Sequence, residues 1–225
     1  MDSILAQTFA DFDLVLVDDG SPDSCGDICE EYARKDGRIH VIHQKTAAFP
    51  RRNTGIDWAQ ANSGSQWLVF VDSDDWVHPD FLLRLYTMVQ ETGCLLSACG
   101  YFRTGGGDFP AMGSPNYRVL SADDYYCPDE AGEDVPAIAW NKLYHKSLFD
   151  TLRYPVGKLH EDEFTTYLAV YRAGKVGCDA GAFVRLLPES RGYYVVQVDR
   201  RESCTFWKRR KTRSLSHGKT ATRDC

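Results

Sequence analysis

No stretch of this 225-residue chain approaches the ~20 consecutive apolar residues that a membrane-spanning helix needs. Its first residues also lack the basic region followed by an apolar run that marks a secretory leader. Both absences predict a cytoplasmic protein. The eight cysteines include only two close pairs, Cys25/Cys29 and Cys94/Cys99, and neither has the two-residue gap of a zinc knuckle. They read as reduced thiols rather than as a disulfide framework. The six histidines show no ligand spacing and read as incidental. Basic charge is scarce outside one region. From Arg200 onward nine Lys/Arg face two acids, which leaves the rest of the chain with 17 basic and 30 acidic residues. A body this acidic argues against nucleic-acid binding.

What the chain does contain is organised around Gln66–Pro79, QWLVFVDSDDWVHP. Trp67 to Val71 form an apolar run that predicts a strand buried on both faces. Three carboxylates follow in four residues: Asp72, Asp74 and Asp75. Carboxylates so close repel one another unless a positive group lies between them. At a strand end a divalent cation carrying a phosphate fits that role, since Mg²⁺ takes one or two carboxylates plus phosphate oxygens. Asp72 and Asp74 are two apart, so an extended backbone points both to one face. A plainer reading stays open: Asp74 or Asp75 caps the helix that Pro79 begins.

In chain order, Asp13–Asp18 predicts a second strand, ending in Asp18, Asp19 and a glycine turn. Ser21 is the expected cap of a helix to Lys35. Arg38 to His43 predicts a strand, and Arg52 to Ala61 a short helix. A helix from Pro79 presents Phe81, Leu82, Leu85, Tyr86 and Val89 at helical spacing and stops at Gly93. Leu95 to Tyr101 predicts another strand. Strands alternating with helices imply an α/β layer with a mostly parallel sheet, whose ligands sit at the carboxyl ends of strands. Residues 104–120 read as an irregular connector, and Ser121 as the cap of a short helix. A later helix follows His160-Glu161-Asp162-Glu163, with Phe164, Tyr167, Leu168 and Tyr171 expected inward and Gly174 at its end. The three acids there suit a helix N-terminus in any case, so a purely structural role is equally open.

Five segments, Leu16–Ser21, Arg52–Gly55, Phe70–Trp76, Trp140–Tyr144 and His160–Phe164, resemble in order and spacing the family 2 glycosyltransferases of the GT-A fold. The resemblance covers residues 2 to about 176. It implies a nucleotide-diphospho-sugar transferase fold with a Rossmann-like sheet flanked by helices. It also implies an inverting enzyme that uses Mn²⁺ or Mg²⁺, a nucleotide-diphosphate sugar, and a glycan or lipid-linked acceptor in cell-surface polysaccharide synthesis. Carried across residue by residue, Asp18 or Asp19 meets the base or ribose, and Arg52 lies near the diphosphate. Asp72 and Asp74 form the Asp-x-Asp pair that holds the metal. Asp162 is the general base, and Trp140, Lys142 and Glu161 help line the donor or acceptor site.

Three departures accompany the resemblance. Family members begin with a further strand, expected centrally between those at 13–18 and 66–72, so the fold is expected to be incomplete at its N-terminus. Ala47-Ala48-Phe49-Pro50-Arg51 replaces the usual glycine-rich loop before Arg52. Residues 177–225 are expected to be an atypical, partly disordered basic tail. That tail is either a shifted reading frame or a native segment that touches anionic lipid at the inner face of the membrane. Two alternatives to an active transferase stand beside it: a relic with an incomplete donor pocket, and a nucleotidyltransferase. The second lacks the Lys/Arg-bearing glycine-rich phosphate loop it would need.

Overall fold

The computed structural model describes residues 1–44, 51–103, 108–111, 113–126 and 138–186. A short helix, α1 (Asp2–Leu5), precedes β1 (Leu14–Asp18), α2 (Cys25–Lys35), β2 (Ile39–His43) and α3 (Arg51–Asn62). Then come β3 (Trp67–Val69), β4 (Trp76–Val77), α4 (Phe81–Thr92) and β5 (Leu96–Arg103). The remainder is β6 (Arg118–Ser121), α5 (Ala122–Tyr126), β7 (Lys142–His145), a 3₁₀ turn at Lys146–Phe149, α6 (Glu161–Ala173) and β8 (Lys175–Leu186).

Local chemistry sets several of these boundaries. α2 carries Asp27 in its first turn and Arg34 and Lys35 in its last, the charge order that the helix dipole favours. Its cap is Ser24, not the expected Ser21, whose N–H is instead taken by Asp18 Oδ1 at 3.1 Å. α4 ends at Gly93, whose left-handed φ of 67° closes the last turn through an N–H donated to Val89 O. α5 starts as expected at Ser121, whose Oγ accepts the Asp124 N–H at 3.1 Å.

The strands fall into two sheets. β1 and β2 pair in parallel, from Leu14 opposite Ile39 to Asp18 opposite His43. The larger sheet runs β3-β7-β5-β8-β4, with β6 also on β8. Among the described residues no ladder joins the two sheets.

The expected mostly parallel sheet requires correction. Among the described residues only β1–β2 and β5–β8 are parallel, whereas β3–β7, β5–β7, β4–β8 and β6–β8 are antiparallel. Alternating strands and helices imply parallel pairing of strands such as β3 and β5. Instead β7, from a segment with too few residues to show a period, enters between them in the opposite sense. β3 is also shorter than predicted, and its three residues are half-buried rather than sealed on both faces.

The core lies on both faces of the larger sheet. Leu96, Ala98, Tyr144 and Val176 join Ile56 of α3, Phe149, Tyr154 and Ala169 and Val170 of α6 in one cluster. Cys99, Leu143, Phe183 and Val184 join Phe81, Leu85, Met88 and Val89 of α4 in the other. Neighbouring residues of β5 and β7 thus divide between opposite clusters, as pleated strands require. Each fully buried Leu, Phe or Met contributes about 1.5–3 kcal/mol.

Two further expectations fail here. The tail does not begin at 177: residues 177–186 complete β8, which is hydrogen-bonded to β5, β6 and β4. Gly177, Ala180, Gly181 and Ala182 blur the alternation that would have revealed the strand. The remainder of the proposed tail, residues 187–225, lies outside the described residues, as do Ala47–Pro50.

On α6 the predicted face is the wrong one. Phe164 and Tyr171 are half exposed and Leu168 is 38% exposed, while Thr165, Thr166, Ala169 and Val170 are buried. Small side chains let this helix approach the sheet closely, and its acidic first turn is drawn inward by an arginine.

Candidate active site

That arginine is Arg52, in the first turn of α3. Its side chain is only 13% exposed and its two terminal nitrogens go to different carboxylates. Nη2 donates to Asp72 Oδ1 at 2.6 Å, and Nη1 donates to Glu161 Oε1. The guanidinium also lies over the Tyr154 ring, 5.6 Å from its centroid. Asn53, the next residue, binds both backbone groups of Tyr154 at 2.8 Å: its Nδ2 donates to the carbonyl and its Oδ1 accepts the N–H. α3 therefore clamps the approach to α6 with one residue and gathers the acids with its neighbour. Burial works against the Arg52 charge, but Asp72, Tyr154, Glu161 and Asp162 outweigh it and hold its pKa above the ordinary value.

The acids respond to the same field. Burial is the main reason that the Asp72 carboxyl is raised, against the pull of Arg52. Asp75 is pushed up to about 8, first by burial and then by the charges of Asp72 and Asp74. Asp162 is raised to about 6, again first by burial, with Arg52 opposing and Glu161 and Asp72 adding. Just before it, His160 caps α6 with a left-handed φ of 55°, a conformation a non-glycine residue adopts at some cost. That turn aims Glu161 and Asp162 inward.

On the other flank, Asp19 accepts from Gln44 Nε2 at 2.7 Å and lies 3.4 Å from Arg51 Nε. Gln44 in turn accepts from Thr54 Oγ1 of α3 at 2.8 Å. Asp19, Arg52, Asp72, Glu161 and Asp162 thus meet around the N-terminus of α3, and Asp74 and Asp75 adjoin Asp72 on the turn after β3. Asp18 is at the edge of this group, with its carboxylate turned toward His43 and Ser21.

Several sequence-derived assignments change. The expectation for Arg52 was a place near the diphosphate; both its terminal nitrogens donate to protein carboxylates, Asp72 and Glu161. Asp72 thus shares its charge with Arg52, and among the described residues no such ion pair involves Asp74. Trp140 is 7% exposed and edge-on to Tyr101 at 5.2 Å, in the core rather than lining a substrate site. Lys142 is fully buried, and its Nζ donates to Ile138 O and Asn141 Oδ1, both at 2.6 Å. Burial lowers its pKa to about 7, against the nearby Cys99 and Asp162. Asn141 Nδ2 donates to Cys99 O at 2.6 Å. Trp140, Asn141 and Lys142 therefore brace β7 and β5 beneath the acids. Glu161 is 8% exposed and spent on Arg52, with Oε2 buried and unpartnered. Sequence reasoning read His43 as incidental and gave Asp75 no role in the site. Asp75 was legible as a third carboxylate, but nothing local revealed the Asp18 partner of His43, which lies on a different strand.

The donor set fits a divalent cation of the magnesium or manganese type. Three hard oxygen donors, Asp72, Asp74 and Asp75, lie on one turn, and Asp75 is raised first by burial and then by the neighbouring charges of Asp72 and Asp74. No group of three or more metal-ligating side chains is preassembled among the described residues. Such a cation would take Asp74, with or without Asp72, and complete its shell from phosphate oxygens.

Residues 1–162 match the family model for glycosyl transferase family 2. The chain is 33% identical over 174 residues to the glycosyltransferase GlyA of Streptococcus pneumoniae, across 73% of this chain and 24% of that protein. Among solved structures it resembles S. aureus TarS in complex with UDP-GlcNAc, with a TM-score of 0.69 at 20% identity. That likeness covers 88% of this chain and 56% of TarS. GalNAc-T7 with UDP, GalNAc and Mn²⁺ aligns with a TM-score of 0.58 at 16% identity, over 85% of this chain and 41% of that one. The fold is thus the GT-A fold of these transferases. The chain spans about a quarter of GlyA and about half of TarS. None of the described helices is long and apolar enough to cross a membrane.

Proposed function

Since this chain belongs to glycosyl transferase family 2, we propose that it moves a sugar from a nucleotide-diphosphate donor to an acceptor hydroxyl with inversion at the anomeric carbon. The observation that carries the reading is the position of Asp162: buried, raised to about 6, and held beside a carboxylate cluster organised by one arginine. A base with a pKa near working pH accepts a proton without being exhausted by it. The acceptor oxygen attacks the anomeric carbon, its proton passes to Asp162, and the bond from that carbon to the diphosphate oxygen breaks. The nucleoside diphosphate leaves with the bonding electrons.

A divalent cation at Asp74 and Asp72, when bound, neutralises charge on the departing diphosphate. Asp19, with Gln44 and Arg51 beside it, suits the hydroxyls or ring N–H groups of a nucleoside. Arg52 holds Asp72 and Glu161 apart in fixed positions, and Tyr154 and Asn53 keep α6 against α3 so that Asp162 faces the same cleft. TarS and GalNAc-T7 were solved with UDP or a UDP-sugar, which supports uridine as the base; a glycan or lipid-linked acceptor follows from the same family reading.

The test is release of nucleoside diphosphate from UDP-sugars with MnCl₂, compared for the wild type and Asp162→Asn. UDP release that disappears in the variant while UDP binding persists supports the reading. Pyrophosphate as product, or unchanged turnover in the variant, refutes it.

A further inference from the structure

At the carboxyl end of β2, directly across the ladder from Asp18, stands His43. Its Nδ1 lies 2.9 Å from Asp18 Oδ2 and its Nε2 lies 2.9 Å from Glu30 Oε1 of α2. Ionised carboxylates only accept hydrogen bonds, so both ring nitrogens must carry hydrogens for both contacts to hold. Only the imidazolium does so. A neutral ring keeps one contact and turns a lone pair toward the other carboxylate. The remaining oxygen of Asp18 accepts the Ser21 N–H at 3.1 Å, so the carboxylate is fixed at both ends. The fit is close: a Cβ added at Gly26 would fall 3.1 Å from Asp18 Oδ2 and 3.4 Å from His43 Cε1.

We propose that protonated His43 is a positioning residue for the nucleotide donor, fixing Asp18 at the rim and making donor affinity depend on pH. This rests on the proposed nucleoside role of Asp19 and on the expectation that its neighbour Asp18 shares that side of the site. The charged groups facing His43 are Asp18 from β1 and Glu30 from α2. Cys25 and Cys29 of α2 and Asp23 before it interact with Asp18 in turn. The Asp18 and Glu30 hydrogen bonds raise the His43 pKa, and the His43 bond is the main reason that the Asp18 carboxyl lies below its usual range. The sign follows: a raised imidazole keeps its bridge below its folded pKa and loses it as pH rises through that value. Donor affinity is then highest in mild acid and falls on the alkaline side.

The experiment measures UDP binding to the full chain with MnCl₂ by titration calorimetry from about pH 5.5 to about pH 9, a range that spans imidazole titration. The wild type should lose roughly three- to tenfold in affinity across that range, the scale of one partly solvated charge-assisted hydrogen bond. His43→Gln should bind weakly at the acid end and show a flat profile. Glu30→Gln, which removes the carboxylate from the His43 Nε2 side only, should shift the midpoint to lower pH. A wild-type profile with no such fall, or a His43→Gln profile that follows the wild type, overturns the proposal. Asp18→Asn separates the two readings: unchanged UDP binding in that variant removes the nucleoside role of Asp18 itself, whatever His43 does.

Discussion

Replacing Arg52 with methionine is the sharpest perturbation available, because it removes one cation from between two carboxylates that are themselves 16% and 10% exposed. Methionine fills similar space, so a cavity contributes little and the charge effect dominates. Removing one partner of a buried pair costs about 3–5 kcal/mol, since the other charge stays buried without compensation. Here two carboxylates are orphaned, and Glu161 Oε2 already lacks a partner.

For a domain of this size each kcal/mol is worth about 2–4 °C, which gives a loss of roughly 6–20 °C in Tm. The pH dependence supplies a second signature. Without Arg52 the Asp72 carboxyl rises further, and the folded protein takes up protons more readily than the unfolded chain. Stability then recovers as pH falls, and the gap to the wild type narrows in acid. Arg52→Lys keeps the charge but cannot span both acids, so it should fall between the two. Arg52→Met combined with Asp72→Asn and Glu161→Gln should regain part of the loss at neutral pH. Urea unfolding at two pH values decides the matter. A wild-type midpoint for Arg52→Met, or a gap that widens in acid, would refute the reasoning.

Three other outcomes follow from the same geometry. Turnover should rise with pH through about 6 and level off as Asp162 loses its proton, and Asp162→Asn should lower the rate by about 10²–10⁴-fold; a pH–rate profile reads both. Lys142, at about 7 in the fold against an ordinary 10.5, leaves the unfolded chain binding the extra proton between those values. Stability should therefore climb with pH across that window, and Lys142→Met should abolish the climb in urea titrations. Gly177→Ala places a Cβ 3.0 Å from Met88 Cγ and 3.2 Å from Thr92 Oγ1, so thermal unfolding should show a loss of about 1–3 kcal/mol from overpacking of α4 on β8.

The acids were readable because their signal is local: two strand ends that each finish in consecutive aspartates, and a helix that opens on three acids. α4 was readable because its inward face is built from large apolar residues with a glycine to stop it. What escaped was whatever depends on a distant partner. The inward face of α6 is threonine and alanine, chosen for close approach, while its phenylalanine and tyrosine point outward, so periodicity selected the wrong side. Trp140 and Lys142 sat in a conspicuous motif, but only the packing shows that both are buried. Arg52 was expected near the diphosphate because the family resemblance implies it. Its actual partners come from residues 20 and 109 positions away, a pairing that no window along the chain contains.

The separation of the two sheets has a consequence for motion. The unit formed by β1, α2 and β2 is attached to the larger body through side chains, among them Arg51 to Asp19, Thr54 to Gln44 and Ser63 to Asp13, rather than through shared strand hydrogen bonds. It can swing or loosen without unzipping any ladder. Amides of Leu14–Asp18 and Ile39–His43 should consequently exchange with deuterium sooner than those of β5 and β8. A nucleotide spanning Asp19 and Asp72 would act as a clasp across that seam and slow the exchange on one side more than on the other.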